Sequence, residues 1–284
     1  MRFREIQLYS IIGNPIAHSL SPCLHGIAFR HFNINAVYLP FLVKPNRLGA
    51  SITHLKKMGV RGFNVTIPFK EKILRHIDKL SDEASVIGAV NTVHNVKGHW
   101  IGHNTDGMGF IAAVGHLKKI RLNRLEALIF GAGGMGRTVG YELLKVGVQN
   151  LVIVSRSPRP KLLRHLVNLF PKASISMTTH FDDLKSKMNR FGIVVNATPL
   201  GLSSKNEFHY SLKGLNSQCV IVDTVYRRNG RFKTKLLRWA HSHHHLCVDG
   251  LDILYHQAKA ASKIWTGKVW PLNVYRSFLA TIRC

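Results

Sequence analysis

The run LEALIFGAGGMGRTVGYELLKVGVQNLVIVSRS, residues 125–157, constrains the fold more than any other part of the chain. An apolar strand, ALIF, runs directly into glycines and then into a helical period, and the next apolar run, NLVIV, reads as its partner strand. Gly131, Gly133 and Gly136 fit GxGxxG. Glycines in that context let the backbone turn tightly and approach a pyrophosphate at a helix N-terminus. A Rossmann-type dinucleotide site is therefore predicted at Gly131, Ala132, Gly133, Gly134, Met135 and Gly136. A chain that binds NAD presents Asp or Glu to the ribose hydroxyls at the end of the second strand. Here that strand ends at Ser155, no carboxylate occurs between Glu142 and Asp182, and Arg156, Arg159, Lys161 and Arg164 follow. A guanidinium at this point pairs with a 2′-phosphate and stacks on adenine. The cofactor expected is NADP, with Ser155, Arg156, Ser157 and Arg159 at its ribose phosphate.

Strand-like and helical patterns alternate along all 284 residues, which predicts an α/β fold with largely parallel sheets and length enough for two domains. EIQLYSII, AVYLPFLV, FNVTI and AVNTVHNV read as strands, separated by amphipathic stretches near 20–31, 47–58 and 69–77. Lys97 and Gly98 turn the chain back into HWIG as a hairpin. GMGFIAAVGHLKK reads as a helix, ISMTT, GIVVNAT and CVIVDTVY as further strands, and DILYHQAKAASKIW and PLNVYRSFLATIR as terminal helices. The division expected is 1–105 with 252–284 as a substrate domain, and 106–251 as the cofactor domain.

A hydrophobic share of 45% against 19% charged residues excludes a mainly disordered chain. No apolar run reaches the roughly 20 residues of a membrane-spanning helix, and MRFREIQLYSIIG lacks the pattern of a cleaved leader. A cytoplasmic protein with no membrane partner is expected, as a monomer or homodimer. Four cysteines without CxxC spacing predict no metal site and no disulfide, and HSHHH, residues 241–245, reads as a solvated helix end. The 40 Lys+Arg outnumber 14 Asp+Glu, for a formal charge of +26. No tail gathers that excess, and no zinc-finger or RNA-recognition pattern accompanies it, so it reads as a basic enzyme surface without a specific nucleic-acid partner. A basic nucleic-acid-binding protein on a reused fold is the remote alternative.

The first third is dense in small polar groups at expected strand ends. GNPIAHSLSP presents Ser19 and Ser21 from a loop with proline at both ends, and GFNVTIPFKE supplies Asn64, Thr66 and Lys70. GAVNTV supplies Asn91, and GHNTDGMGF supplies Asp106. Singly, each is an ordinary turn or cap residue. Together, hydroxyls, amides and one Lys/Asp pair suit a small polyhydroxylated acid.

Eight runs in order, GNPIAHSLSP, GFNVTIPFK, GAVNTV, GHNTDGMGF, GAGGMG, NATPLG, VDTVY and QAKAASKIWTG, resemble the shikimate dehydrogenase family over nearly the whole chain. The resemblance implies an N-terminal α/β substrate domain, a Rossmann-type NADP-binding domain, and NADP-dependent reversible reduction of 3-dehydroshikimate to shikimate. By position it implies Lys70 and Asp106 as the catalytic pair, with Ser19, Ser21, Asn64, Thr66, Asn91, Asp106, Tyr226 and Gln257 holding substrate. Thr198, Val225 and Gly250 would join the cofactor site. The chain departs from the family pattern in places. Gly26 follows His25 where asparagine is usual, SRS replaces an asparagine-arginine-threonine run, and Pro160 takes the place of a second basic residue between Arg159 and Lys161. Ile253 stands where methionine is common, and the loop YRRNGRFKT is longer than usual. A quinate or dual quinate/shikimate dehydrogenase is the alternative. The paired hydroxyls of Ser19 and Ser21 favour shikimate, because quinate's extra hydroxyl needs more room beside the carboxylate.

Overall fold

A computed structural model describes residues 5–117, 120–227, 231 and 234–282. It divides into two compact units, Met1–Gly109 with Leu254–Cys284, and Phe110–Ile253. The divide falls inside two helices rather than at the expected 105/106 and 251/252 junctions, so Asp106 belongs to the first unit.

The first unit holds β1 (Gln7–Gly13), α1 (Ser21–His31), β2 (Ala36–Leu42), α2 (Leu48–Lys57), β3 (Gly62–Val65), β4 (Lys79–Leu80), α3 (Asp82–Ile87), β5 (Thr92–Val96) and β6 (His99–His103). Its sheet runs β2-β1-β3-β5-β6-β4. β1 pairs parallel with β2 and β3, whereas β5 is antiparallel to both β3 and β6. The hairpin between β5 and β6 turns at Lys97 and Gly98, as the sequence predicts, and both have positive φ, 50° and 83°, which matches the twist of paired strands. Alternation along β1 sends Ile12 to one apolar cluster with Phe63, Val65 and the α2 residues Ile52 and Leu55. Tyr9 and Ile11 go to another with Phe29 and Trp265. Gly62 is glycine for a packing reason, since a Cβ there would collide with the Trp265 indole.

The amphipathic stretch near 69–77 forms only a short 3-10 turn, Lys72–His76. Pro68 precedes it, and only Phe69 and Ile73 of the run are fully buried, too narrow a stripe to hold a full helix on the sheet. α3 escaped the sequence reading although its signals are present: Ser81 caps Ala84 N, Asp82 and Glu83 occupy the first turn, and Gly88 closes it at φ 69°.

α4 (Asp106–Gly115) leads into β7 (Glu126–Phe130), α5 (Gly134–Lys145), β8 (Asn150–Val154), α6 (Pro160–Leu169), β9 (Ser174–Thr178), β10 (Phe191–Asn196), β11 (Val220–Asp223), α7 (Lys235–Ser242) and β12 (Leu246–Val248). α8 (Gly250–Thr266) and α9 (Leu272–Thr281) complete the chain. The second sheet is wholly parallel in the order β12-β11-β10-β7-β8-β9, the doubly wound order of dinucleotide-binding folds. Both its faces are buried. Ala127, Ile129, Ile193 and Val195 enter one core, while Leu128, Phe130, Val194 and Ile221 enter the other, which is why these strands read as continuous apolar runs. Ile253 is buried in the first of these cores, so apolar packing is kept at that departure from the family pattern. His241, His243 and His244 are exposed at the end of α7. Among the described residues no helix is long and apolar enough to cross a membrane, and no group of His, Cys, Asp and Glu could hold a metal ion. Residues 228–230, 232 and 233 of the long loop lie outside the described residues.

Two wholly buried polar residues close the carboxyl ends of β10 and β11. Asn196 donates to Asp223 Oδ1 (2.9 Å) and to Leu200 O (2.9 Å), while Thr234 Oγ1 and Val225 N donate to the same carboxylate at 2.7 and 3.1 Å. Burial pushes the Asp223 carboxyl up to about 7, the three donors oppose that shift, and nearby Asp249 adds to it. Its folded-state value thus lies above the roughly 4 of an unfolded aspartate. The stabilisation it brings is complete below about pH 4 and is lost as the pH rises through about 7. Asp223→Asn, which keeps the shape and removes the titration, should flatten the fall in Tm between pH 5.5 and pH 8.5 by at least about 3 °C in a thermal melt series. An unchanged pH slope would mean that Asp223 ionises normally in the fold.

Candidate active site

Strand register brings the polar residues of the first unit to one end of its sheet. Asn64 on β3 faces Thr92 on β5, and Thr92 faces His103, after which Asn104, Thr105 and Asp106 enter α4. Asn104 Oδ1 accepts from Gly107 N, fixing the start of that helix.

Asn91, one residue before β5 and 3% exposed, ties this end together. Its amide oxygen accepts from Thr105 N (2.7 Å) and Thr92 Oγ1 (3.1 Å). Its amide nitrogen reaches Asp106 Oδ1 (2.9 Å), Thr105 Oγ1 (3.0 Å) and Gln257 Oε1 (3.2 Å) on α8. The other carboxylate oxygen of Asp106 takes a 2.7 Å bond from Lys70 Nζ. Those two side chains are only 8% and 16% exposed, so this is a sheltered ion pair, and removing either partner leaves a buried charge uncompensated. One of the ammonium's three N–H donors points at Asp106, which leaves donor capacity for an oxygen brought beside it. The backbone behind the lysine is also held, with Val90 N bonding Lys70 O at 2.8 Å.

Asn64 completes the cluster by donating to Asn91 O (3.1 Å) and Thr92 Oγ1 (3.0 Å), and it accepts from Tyr38 OH (2.7 Å). Five of the site residues singled out in the sequence, Asn64, Lys70, Asn91, Asp106 and Gln257, thus form one hydrogen-bonded network. Ser19 and Ser21 lie together at the entry to α1, with Ser21 N donating to Ser19 Oγ at 3.3 Å and Ser21 only 2% exposed. Thr66 follows β3, its side chain against Gly13. Tyr226 lies in the second unit, partly exposed after β11. Tyr38, Thr92 and Thr105 join the network unannounced. Thr105 lies within GHNTDGMGF, but its main partner is a side-chain oxygen 14 residues away, and Tyr38 shows only a strand alternation.

The cofactor candidates of the second unit all sit at the carboxyl ends of its parallel strands, where ligands bind in open α/β sheets. Gly131 and Ala132 follow β7, and Gly131 has φ 107°. A side chain on Gly136 would strike the Gly131 carbonyl, so the third glycine brings helix against turn. Gly133 is different: a Cβ built there meets nothing within 4 Å. It opens α5, together with Gly134 and Met135, and neither a capping side chain nor an acidic residue occupies that helix start. Its backbone N–H groups therefore suit a pyrophosphate. Ser155 Oγ bonds Ser157 O (2.8 Å) in the turn after β8, and Arg156 and Arg159 are exposed beside it. Thr198 is engaged with Asn196 Oδ1 (2.6 Å) in the loop after β10. Gly250 lies so close to the Val225 carbonyl, 2.6 Å from a built Cβ, that no larger residue fits without a shift. The turns and the bare helix start fit a dinucleotide, and the exposed Arg156 and Arg159 suit a phosphate on its ribose.

Residues 11–93 match the shikimate dehydrogenase substrate binding domain, and residues 114–229 match the family described as shikimate / quinate 5-dehydrogenase. A shikimate dehydrogenase (NADP(+)) of Bacillus mycoides is 36% identical over 267 residues, covering 93% of this chain and 94% of the relative. Among solved structures, the shikimate dehydrogenase of Aquifex aeolicus is 34% identical with a TM-score of 0.82, over 98% of this chain and 99% of that one. That of Thermus thermophilus, solved with NADP(H) and shikimate, is 29% identical with a TM-score of 0.82, over 97% and 99%. Matched along both units by sequence and by fold, the chain belongs to the shikimate dehydrogenase family.

Proposed function

We propose that this protein catalyses the NADP-dependent, reversible reduction of 3-dehydroshikimate to shikimate, in the pathway to aromatic amino acids, as a monomer or homodimer in the cytoplasm. The observation that carries the reading is the sheltered Lys70–Asp106 pair in an otherwise amide- and hydroxyl-lined cluster, in a chain whose relatives are named for this reaction. Bound NADPH supplies the hydride. Lys70 offers an ammonium to the ketone oxygen, where negative charge grows, and delivers the proton that completes the hydroxyl. In the oxidation direction it takes that proton back. Asp106 fixes the ammonium through Oδ2, and Asn91 fixes Asp106 through Oδ1.

The ring hydroxyls of the substrate are read by Asn64, Thr66, Asn91 and Gln257. Ser19 and Ser21, at a helix start without acidic residues, suit the carboxylate. The glycine turn and α5 receive the pyrophosphate, Arg156 and Arg159 the 2′-phosphate, and Ser155, Ser157, Thr198, Val225 and Gly250 line the remainder.

Lys70→Ala should keep the fold and NADP+ affinity and lower kcat for shikimate oxidation by at least about 10². The assay is NADPH formation at saturating shikimate, with quinate as a parallel arm. Near-normal turnover in the variant would remove Lys70 as the acid, and a wild-type preference for quinate would move the substrate assignment to the alternative.

Arg156→Ala should weaken NADP+ binding about tenfold to a hundredfold, because one charged partner of a phosphate is lost, and should leave NAD+ binding almost unchanged. Equal losses for the two cofactors in a titration would show that Arg156 supports the loop or the adenine rather than the 2′-phosphate.

A further inference from the structure

Two aromatic side chains of the first unit have no part in the function proposed above. His25 on α1 and Tyr38 on β2 stack face to face, with centroids 4.4 Å apart and planes 3° from parallel. His25 is wholly buried among Phe29, Trp265 and Trp270, at centroid distances of 6.0, 5.4 and 5.1 Å, and neither of its ring nitrogens has a hydrogen-bond partner among the described residues. Burial pushes it down to about 3, so the ring is neutral at working pH and acts on Tyr38 by shape.

The Tyr38 hydroxyl has a determinate role. Asn91 O is an acceptor only, so Asn64 must turn its NH2 toward it and its oxygen toward Tyr38, which must then donate. Tyr38, 7% exposed, is thus one bond from the carboxamide that holds the Asn91 peptide, and Asn91 carries the side chain that holds Asp106. We propose that Tyr38 is a positioning residue for the reaction: held flat by His25, its hydroxyl sets Asn64, and through Asn64 and Asn91 it sets the Lys70–Asp106 pair. This rests on the reading of that pair as catalytic.

The test is a double-mutant cycle on shikimate oxidation with NADP+, read as kcat at a temperature well below every variant's Tm. Tyr38→Phe keeps the stacked ring and removes only the hydroxyl. It should lower kcat about tenfold, with KM for NADP+ unchanged, because a buried acceptor next to the site loses its donor. In the Lys70→Ala background the same change should cost less than about twofold, since the pair it positions is already gone. The Lys70→Ala arm alone reports on the catalytic reading, separately from Tyr38. Wild-type kcat in Tyr38→Phe overturns the positioning role, as does a loss confined to KM for shikimate. An equal fold-loss in both backgrounds also overturns it, since Tyr38 would then act independently of Lys70.

Discussion

The carboxamide of Asn91 is the interaction on which the first unit's chemistry depends. Both its oxygen and its nitrogen are committed inside a buried cluster, so it has one tolerable orientation. An amide is the one neutral side chain that can accept from Thr105 N and donate to Asp106 from the same carbon, and it does so where three strand ends and two helices meet. Because one oxygen of Asp106 is taken by a neutral donor, the carboxylate keeps its charge for Lys70 through the other. A second cation in place of that neutral donor would compete with the lysine. The register of β3, β5 and β6 matters because a slip of one residue would turn Asn64 and Thr92 to the opposite face of the sheet.

The second unit relies on its backbone at the glycine turn. Its glycines have distinct duties: Gly131 for the left-handed turn, Gly133 for open approach and Gly136 for helix-to-turn contact. The loops after β10 and β11 are tied together by the buried Asn196, Asp223 and Thr234 set, at the strand ends where the cofactor is proposed to bind.

How much the sequence disclosed follows the range of the interactions. The glycine turn, the hairpin at Lys97 and Gly98 and the doubly buried strands of the second sheet are local patterns, and they stand in the structure where the residues suggested. The 69–77 stretch is amphipathic but buries too narrow a stripe for a full helix, and α3 leaves little trace in the sequence because its cap, acidic first turn and closing glycine occupy only eight residues. Of the site, the motif residues were legible as chemical types. The partners were not: the bond from Tyr38 to Asn64 spans 26 residues, that from Asn91 to Gln257 spans 166, and nothing in a strand alternation distinguishes a tyrosine that packs from one that also donates.

The most direct measurement of the central claim is kcat for shikimate oxidation by Asn91→Ala, taken below the variant's melting transition with NADP+ saturating. If the carboxamide organises the pair, kcat falls by at least about 10², the scale of a misplaced catalytic group, while NADP+ affinity stays that of the unaltered chain. A kcat within about threefold of the unaltered chain, with only KM for shikimate raised, would contradict it and reduce Asn91 to one substrate contact among several.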